Sequence, residues 1–231
     1  EPADRRGHGE GRDEQHHHPL VTGFFLVVEG PEGAGKSTLV TGLAARMRAT
    51  GIEPVTVREP GGTPAAEALR AAFLDPDHPL GSNTELLYVT AARAHLVQNV
   101  VGPALRAGRV VLSDRYDLST HAYQAAGRGL DPDVVAYVNR VATGGLRPHL
   151  TLVLDIPPDV GLTRQAAGGK SGDRMEREDP QFHRRVAAAY LAATGEGVRH
   201  LDGTAPPAAV LDAAWAELVT AEPETFGRRG G

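Results

Sequence analysis

Gly30-Pro31-Glu32-Gly33-Ala34-Gly35-Lys36-Ser37-Thr38 follows the apolar run Phe24-Phe25-Leu26-Val27-Val28-Glu29 and opens into Leu39-Val40-Thr41-Gly42-Leu43-Ala44-Ala45-Arg46. This is G-x-x-x-x-G-K-[ST] in its required setting, with a strand before it and a helix after it. Gly30, Gly33 and Gly35 let the backbone curl so that successive N–H groups converge on a phosphate, and the helix N-terminus adds the positive end of its dipole. Lys36 supplies a mobile positive charge toward the β- and γ-phosphates, and the Ser37 hydroxyl suits Mg²⁺. Residues 30 and 32–38 are therefore the expected nucleotide-phosphate and cofactor contacts.

Working outward, short apolar runs recur at 24–29, 54–58, 109–114, 150–155 and, more weakly, 198–202. They are continuous rather than alternating, as in a parallel sheet buried on both faces. Helical patterns lie between them at 36–50, 64–74, 83–106, 132–143, 159–166, 180–193 and 208–220. Asp131 before Pro132 and Asp179 before Pro180 are start signals, a cap followed by proline at the first helical position. Strands joined by helical crossovers predict an α/β fold, a doubly wound five-stranded parallel sheet. Ligands of such sheets sit at the carboxyl ends of the strands. Glu29, Arg58, Asp114, Arg115 and Asp155 fall at that edge.

The 231 residues suffice for one large α/β domain, expected over 20–221. Residues 1–19 are charged and nearly devoid of large apolar side chains, which predicts a disordered arm, and residues 222–231 read as a loose tail. His16-His17-His18 lies in that arm and reads as polar tail rather than metal site. The 24 basic and 29 acidic residues leave a net charge of −5, against a nucleic-acid-coating or membrane-surface protein. No cysteine is present, so disulfides, thiolate zinc and cysteine catalysis are excluded. No apolar run approaches the ~18–20 residues of a membrane span, and no secretory pattern opens the chain. A soluble cytoplasmic protein acting on small-molecule nucleotides is expected.

Asp114 ends its strand where a loop-bound Mg²⁺ would be held, with Ser37 as the other metal candidate. Arg58 is placed beside the phosphate loop by its own strand end. The segment Thr163-Arg164-Gln165-Ala166-Ala167-Gly168-Gly169-Lys170-Ser171-Gly172-Asp173-Arg174-Met175-Glu176-Arg177-Glu178 is basic and glycine-rich. Beside a phosphate site it reads as a short lid over about 164–178 that closes on the phosphates and excludes water.

With these pieces in order, the chain resembles thymidylate kinase, a P-loop nucleoside monophosphate kinase family. The resemblance runs from residue 24 to about 218. It rests on the phosphate loop with Glu32 inside it, Arg58-Glu59-Pro60-Gly61-Gly62-Thr63, and Ala91-Ala92-Arg93. It continues through Asp114-Arg115-Tyr116-Asp117-Leu118-Ser119-Thr120-His121-Ala122-Tyr123-Gln124, Gly127-Arg128-Gly129, Arg147-Pro148-His149-Leu150-Thr151, Asp173-Arg174-Met175-Glu176 and Leu201-Asp202-Gly203-Thr204.

The resemblance implies ATP- and Mg²⁺-dependent phosphorylation of dTMP to dTDP by a homodimer. It implies that Glu32 contacts the sugar 3′-hydroxyl and that Arg58 and Arg115 hold the acceptor monophosphate. Arg93 is implied at the thymine edge with Ser119 and Gln124 close by, and Tyr123 against the sugar 2′ position. A lid cation on the transferred group is implied, with Arg164, Lys170 and Arg174 as candidates beside Lys36 and Arg58. This chain departs from the family in carrying Val89 where a phenylalanine usually stacks on the base. A kinase for another or modified pyrimidine deoxynucleotide is therefore the alternative, and a non-catalytic nucleotide-binding module a further one. The guanine-reading string Asn-Lys-x-Asp does not occur.

Overall fold

The structure, a computed structural model, describes residues 22–167 and 173–227. The expected arm 1–19, the middle of the expected lid and residues 228–231 lie outside the described residues. Five strands form one sheet: β1 (Phe25–Glu29), β2 (Val55–Arg58), β3 (Val111–Asp114), β4 (Leu150–Asp155) and β5 (Val198–Asp202). Their order is β2-β3-β1-β4-β5, and every pairing is parallel. Leu26 sits opposite Leu112 on one side and Leu150 on the other, so the central strand is hydrogen-bonded along both edges.

Side chains alternate between the two faces with the two-residue period of a strand. Leu26, Val28, Leu112, Leu150, Leu152 and Leu154 pack with α1 (Lys36–Ala49), where Leu39, Leu43 and Met47 are buried. Phe25, Val27, Val57 and Val111 pack on the opposite side against Leu96, Val97, Val101 and Leu105. Between them the two faces explain why the strands read as unbroken apolar runs.

The remaining helices are α2 (Pro64–Leu74), α3 (Ser82–Leu96), α4 (Gly102–Arg106), α5 (Asp117–Thr120), α6 (Pro132–Thr143), α7 (Pro158–Ala167), α8 (Pro180–Leu191), α9 (Pro207–Ala221) and α10 (Pro223–Phe226). Asp131 and Asp179 cap α6 and α8 through the amides of Asp133 and Phe182, both at 2.8 Å. The helix expected over 83–106 is interrupted. Val97–Val101 form a π turn between α3 and α4. Pro103 has no N–H to donate four residues back and its ring crowds that turn, which widens the backbone just ahead of it.

A second π turn, His121–Gly127, continues α5 and carries Tyr123 and Gln124, where the sequence pattern gives no helix. The tail expected from residue 222 is also ordered through α10. Phe226 is only 2% exposed, edge-on to Phe24 at 5.3 Å and near Trp215 at 6.0 Å. Burying that ring on the sheet face outweighs the polar character of its neighbours.

Candidate active site

The carboxyl ends of β1, β2 and β3 open into a cavity of about 840 Å³. The phosphate loop forms one wall. Gly35 stands at the N-cap of α1 with φ 94°, and Gly33 at φ 73° passes so close to α7 that an added Cβ would lie 2.3 Å from the Gly161 carbonyl. Lys36 is folded back onto its own loop, donating to the carbonyls of Gly30 (3.0 Å) and Pro31 (2.8 Å). Burial, then the neighbouring Arg115 charge, pull its amine down to about 8. Gly30 and the buried Ala34 support the loop from behind, while Glu32, Gly33, Gly35, Lys36, Ser37 and Thr38 line the cavity.

Ser37 Oγ donates to Asp114 Oδ2 at 2.8 Å, so the two expected metal candidates meet directly. A hydroxyl and a carboxylate on the cavity wall are hard oxygen donors, and a cation completing its shell with phosphate and water needs few protein ligands. The residues present fit Mg²⁺.

Arg115 is the one described non-glycine residue with positive φ (76°), a strained conformation of the kind stored at functional sites. Its guanidinium donates to Gly30 O, Ser119 Oγ and Tyr190 Oη from one nitrogen and to Glu32 Oε1 (2.7 Å) and Tyr123 Oη from the other. Burial works against charge on Glu32, but Arg115, Lys36 and Tyr123 outweigh it and hold the carboxyl at about 2. Beneath this pair Glu29 is fully buried and accepts from Tyr116 N, Ser119 N, Ser119 Oγ and Tyr190 Oη. Ser119 therefore serves first as part of the Glu29 platform.

Arg93 crosses the back of the cavity, 2% exposed. It donates to Glu59 (2.6 Å), Thr120 (2.7 Å), Asn139 (2.5 Å) and the Tyr116 carbonyl (2.8 Å). Most of its donors are thus committed to the fold, although it lines the cavity as expected. Burial pushes the Glu59 carboxyl upward against the pull of Arg93, and Glu59 Oε1 is buried without a hydrogen-bond partner. Arg58 is half exposed and holds Glu67 through both carboxylate oxygens at 2.8 and 2.9 Å.

The expected lid cations separate. Lys170 lies outside the described residues. Arg164 donates to the Gly203 carbonyl (2.8 Å), away from the cavity lining. Arg174 is buried: its Nε donates to the Phe73 carbonyl (2.9 Å), its Nη1 to Glu85, and its guanidinium covers the Phe73 ring at 5.0 Å. The structure thus places Arg174 as an anchor rather than as a free charge over the phosphates. Glu85 is shared with Arg128, which also reaches Glu178, and Gln124 joins at 3.4 Å.

The sequence pattern of thymidylate kinase matches residues 28–213. The chain belongs to the thymidylate kinase family. A thymidylate kinase of Ectopseudomonas mendocina (strain ymp) is 49% identical over 181 residues, 78% of this chain and 86% of the relative. One from Thermomicrobium roseum is 47% identical over 198 residues, 84% and 94%. One from Pseudomonas fluorescens (strain Pf-5) is 51% identical over 173 residues, 74% and 82%.

Against this thymidylate kinase framework, sequence reasoning missed several residues that line the cavity or hold the residues lining it. Phe73 and Arg70 come from α2, whose pattern reads only as an amphipathic helix, and Arg70 is held to the Pro60 carbonyl at 2.9 Å. Tyr190, from α8, reads as core. Glu85 carried one available signal, a carboxylate on the face of α3 that buries Leu86, Val89 and Arg93.

Proposed function

We propose that this chain transfers the γ-phosphoryl group of ATP to the 5′-phosphate of dTMP, giving ADP and dTDP, with Mg²⁺ as cofactor. The observation that carries this reading is the presence of two anion-binding groups on one cavity. The phosphate loop with Lys36 suits the donor, and Arg58 and Arg115 suit a second phosphate facing it. Family membership and relatives that bear the name thymidylate kinase support the same acceptor.

In the reaction an oxygen of the acceptor phosphate forms the new bond to Pγ while the bond to the β–γ bridging oxygen breaks. No net proton transfer is required, so the protein acts by alignment and charge neutralisation. Lys36 exchanges its loop carbonyls for phosphate oxygens. Arg58 leaves Glu67, an exposed pair that contributes little, and turns to the acceptor. Arg115 stays where Glu32 and the Glu29 platform hold it, and Tyr123, fixed by Glu32, bounds the sugar. Mg²⁺ held at Ser37 and Asp114 would neutralise phosphate charge. With Arg174 anchored, Lys170 and Arg164 are the candidates for a lid cation.

The reading includes a homodimer. Val134, Tyr137 and Val141 project from one face of α6 with exposures of 51%, 58% and 65%, and α3, packed against α6, exposes Leu87. It also includes a cytoplasmic location, where ATP and dTMP are available. The test is a coupled ADP-release assay over deoxy- and ribonucleoside monophosphates. The highest kcat/KM is expected for dTMP; no stimulation by any of them would refute the kinase, and a clear preference for another acceptor would refute the thymidylate assignment.

A further inference from the structure

Beyond the charged groups, the cavity wall continues with Phe73 and Leu74 from α2, Val89 from α3, Gln124 from the second π turn, and Met175. Val89, Phe73, Tyr123 and Met175 belong to one apolar cluster. We propose that Phe73 is the stacking surface for the acceptor's pyrimidine ring in this chain, seated by Arg174. This deepens the reading of the site as a pyrimidine nucleotide kinase and rests on it.

Among the described residues two aromatic rings line the cavity, Phe73 and Tyr123. Tyr123 is already engaged. Its hydroxyl bonds Glu32 (2.9 Å) and Arg115 (3.2 Å), the Arg115 guanidinium lies 5.1 Å from its ring centre, and Tyr190 and Phe182 pack at 6.3 and 6.2 Å. It belongs to the phosphate and sugar end. Phe73 has no polar duty, and the groups beside it suit a base: apolar Val89 and Met175, with Arg93 and Gln124 as hydrogen-bonding groups on the same wall.

Phe73 is also held for the task. The segment 173–175 grips the end of α2 three times: Arg174 N donates to the Leu74 carbonyl (3.2 Å), Arg174 Nε to the Phe73 carbonyl (2.9 Å), and the guanidinium covers the ring. A cation over one side of a ring fixes it electrostatically, and Phe73, 5% exposed, still lines the cavity. Glu85 in turn fixes Arg174. The aromatic surface that Val89 lacks is thereby supplied from the neighbouring helix. Arg174 acts through Phe73 and is a positioning residue.

The test compares wild type with Phe73→Leu, which keeps an apolar side chain and removes the π-face. Two probes are used, dTMP and its base-less counterpart 2-deoxyribose 5-phosphate, the latter measured as a competitive inhibitor. Stacking of ~1–3 kcal/mol per base predicts a roughly 5- to 150-fold weaker dTMP affinity in Phe73→Leu. Inhibition by 2-deoxyribose 5-phosphate and KM for ATP should stay within about twofold of wild type. The exchange Phe73→Leu with Val89→Phe, which returns a ring from α3, should recover most of the loss. Where Phe73→Leu does not fold, Phe73→Met fills the site with a flexible apolar chain and carries the same expectation. Unchanged dTMP affinity in either folded variant, or equal losses for both probes, would overturn the assignment of Phe73. Wild-type protein that binds no dTMP would instead overturn the reading of the whole site.

Discussion

Replacing Glu85 with glutamine tests how the base end of the cavity is tied to the fold. The carboxylate is 1% exposed and sits between two guanidiniums, accepting from Arg174 Nη1 and from Arg128 Nε (2.9 Å), with Arg128 Nη2 in ion-pair contact at 2.7 Å. Glutamine preserves shape but turns one acceptor oxygen into an N–H₂ donor facing another donor, and it removes the charge. Arg128 keeps Glu178 at 2.5 Å, whereas Arg174 is left with the Phe73 carbonyl and an Nη2 that already lacks a partner. Removing one partner of a buried ion pair costs ~3–5 kcal/mol, and the retained Glu178 contact favours the lower end. At ~2–4 °C per kcal/mol for a protein of this size, Glu85→Gln should lower the melting temperature by about 6–12 °C. In the folded variant at low temperature, KM for dTMP should rise while KM for ATP holds, because Arg174 no longer fixes Phe73. Thermal melts and the two KM values at fixed Mg²⁺ provide the measurement. A melting shift below about 2 °C, or equal rises in both KM values, would refute the reasoning.

Lys36→Ala should lower turnover by ~10²–10⁴-fold, since one charge–phosphate contact in a water-excluded site contributes ~3–5 kcal/mol to the barrier; near-normal turnover in the folded variant would sink the mechanism. The Lys36 amine, depressed to about 8 by burial and Arg115, must be charged to hold phosphate, so ATP affinity should fall progressively as pH rises above about 8. Calorimetry near pH 8.5 in two buffers should show proton uptake on ATP binding that Lys36→Met abolishes, and uptake identical in both proteins would assign it elsewhere. The same depression makes the unfolded chain bind more protons than the folded one between about 8 and 10.5, so this group adds stability as pH rises through that window. Tyr137→Glu, on the exposed face of α6, should convert a dimer to a folded monomer in sedimentation velocity; an unchanged sedimentation coefficient would remove that face from the interface.

What was legible in the sequence follows from the range of the interactions involved. The strands, the phosphate loop and the Asp-Pro helix starts depend on neighbours a few residues apart, and they stand where the sequence places them. Lys36, Ser37, Asp114, Arg58 and Arg115 were legible as a group because strand ends of a parallel sheet share one edge. Arg174 was not. In a glycine-rich, basic stretch it reads as a lid cation over the phosphates, and only the fold brings Glu85, 89 residues earlier, onto it. Phe226 is hidden for the same reason, since its partner Phe24 lies just ahead of β1. The turn at 121–127 escaped because its pitch follows neither the helical nor the strand period, and Tyr123 and Gln124 reach the cavity through that departure.

The cavity's cations divide by what they hold, and the division separates those fixed by the fold from those free to exchange partners. Arg93 is buried on Glu59, and taking either away would strand a charge in a dry site, which is strongly destabilising; Arg115 is mostly covered and is held by the partly exposed Glu32 together with Gly30 O, Ser119, Tyr123 and Tyr190. They keep their partners and present what donors remain. Lys36 and Arg70 hold backbone carbonyls, and Arg58 holds a half-exposed Glu67. A neutral carbonyl or a solvated carboxylate is a weak competitor for a guanidinium or ammonium when a multiply charged phosphate arrives, because charge-assisted bonds to phosphate are stronger and the displaced groups are readily satisfied by water. The exchangeable cations are therefore Lys36 on the phosphate loop and Arg58 and Arg70 on the far wall, so an anion entering the cavity can recruit charge from both without dismantling the ion pairs of Arg93 and Arg115 that shape it.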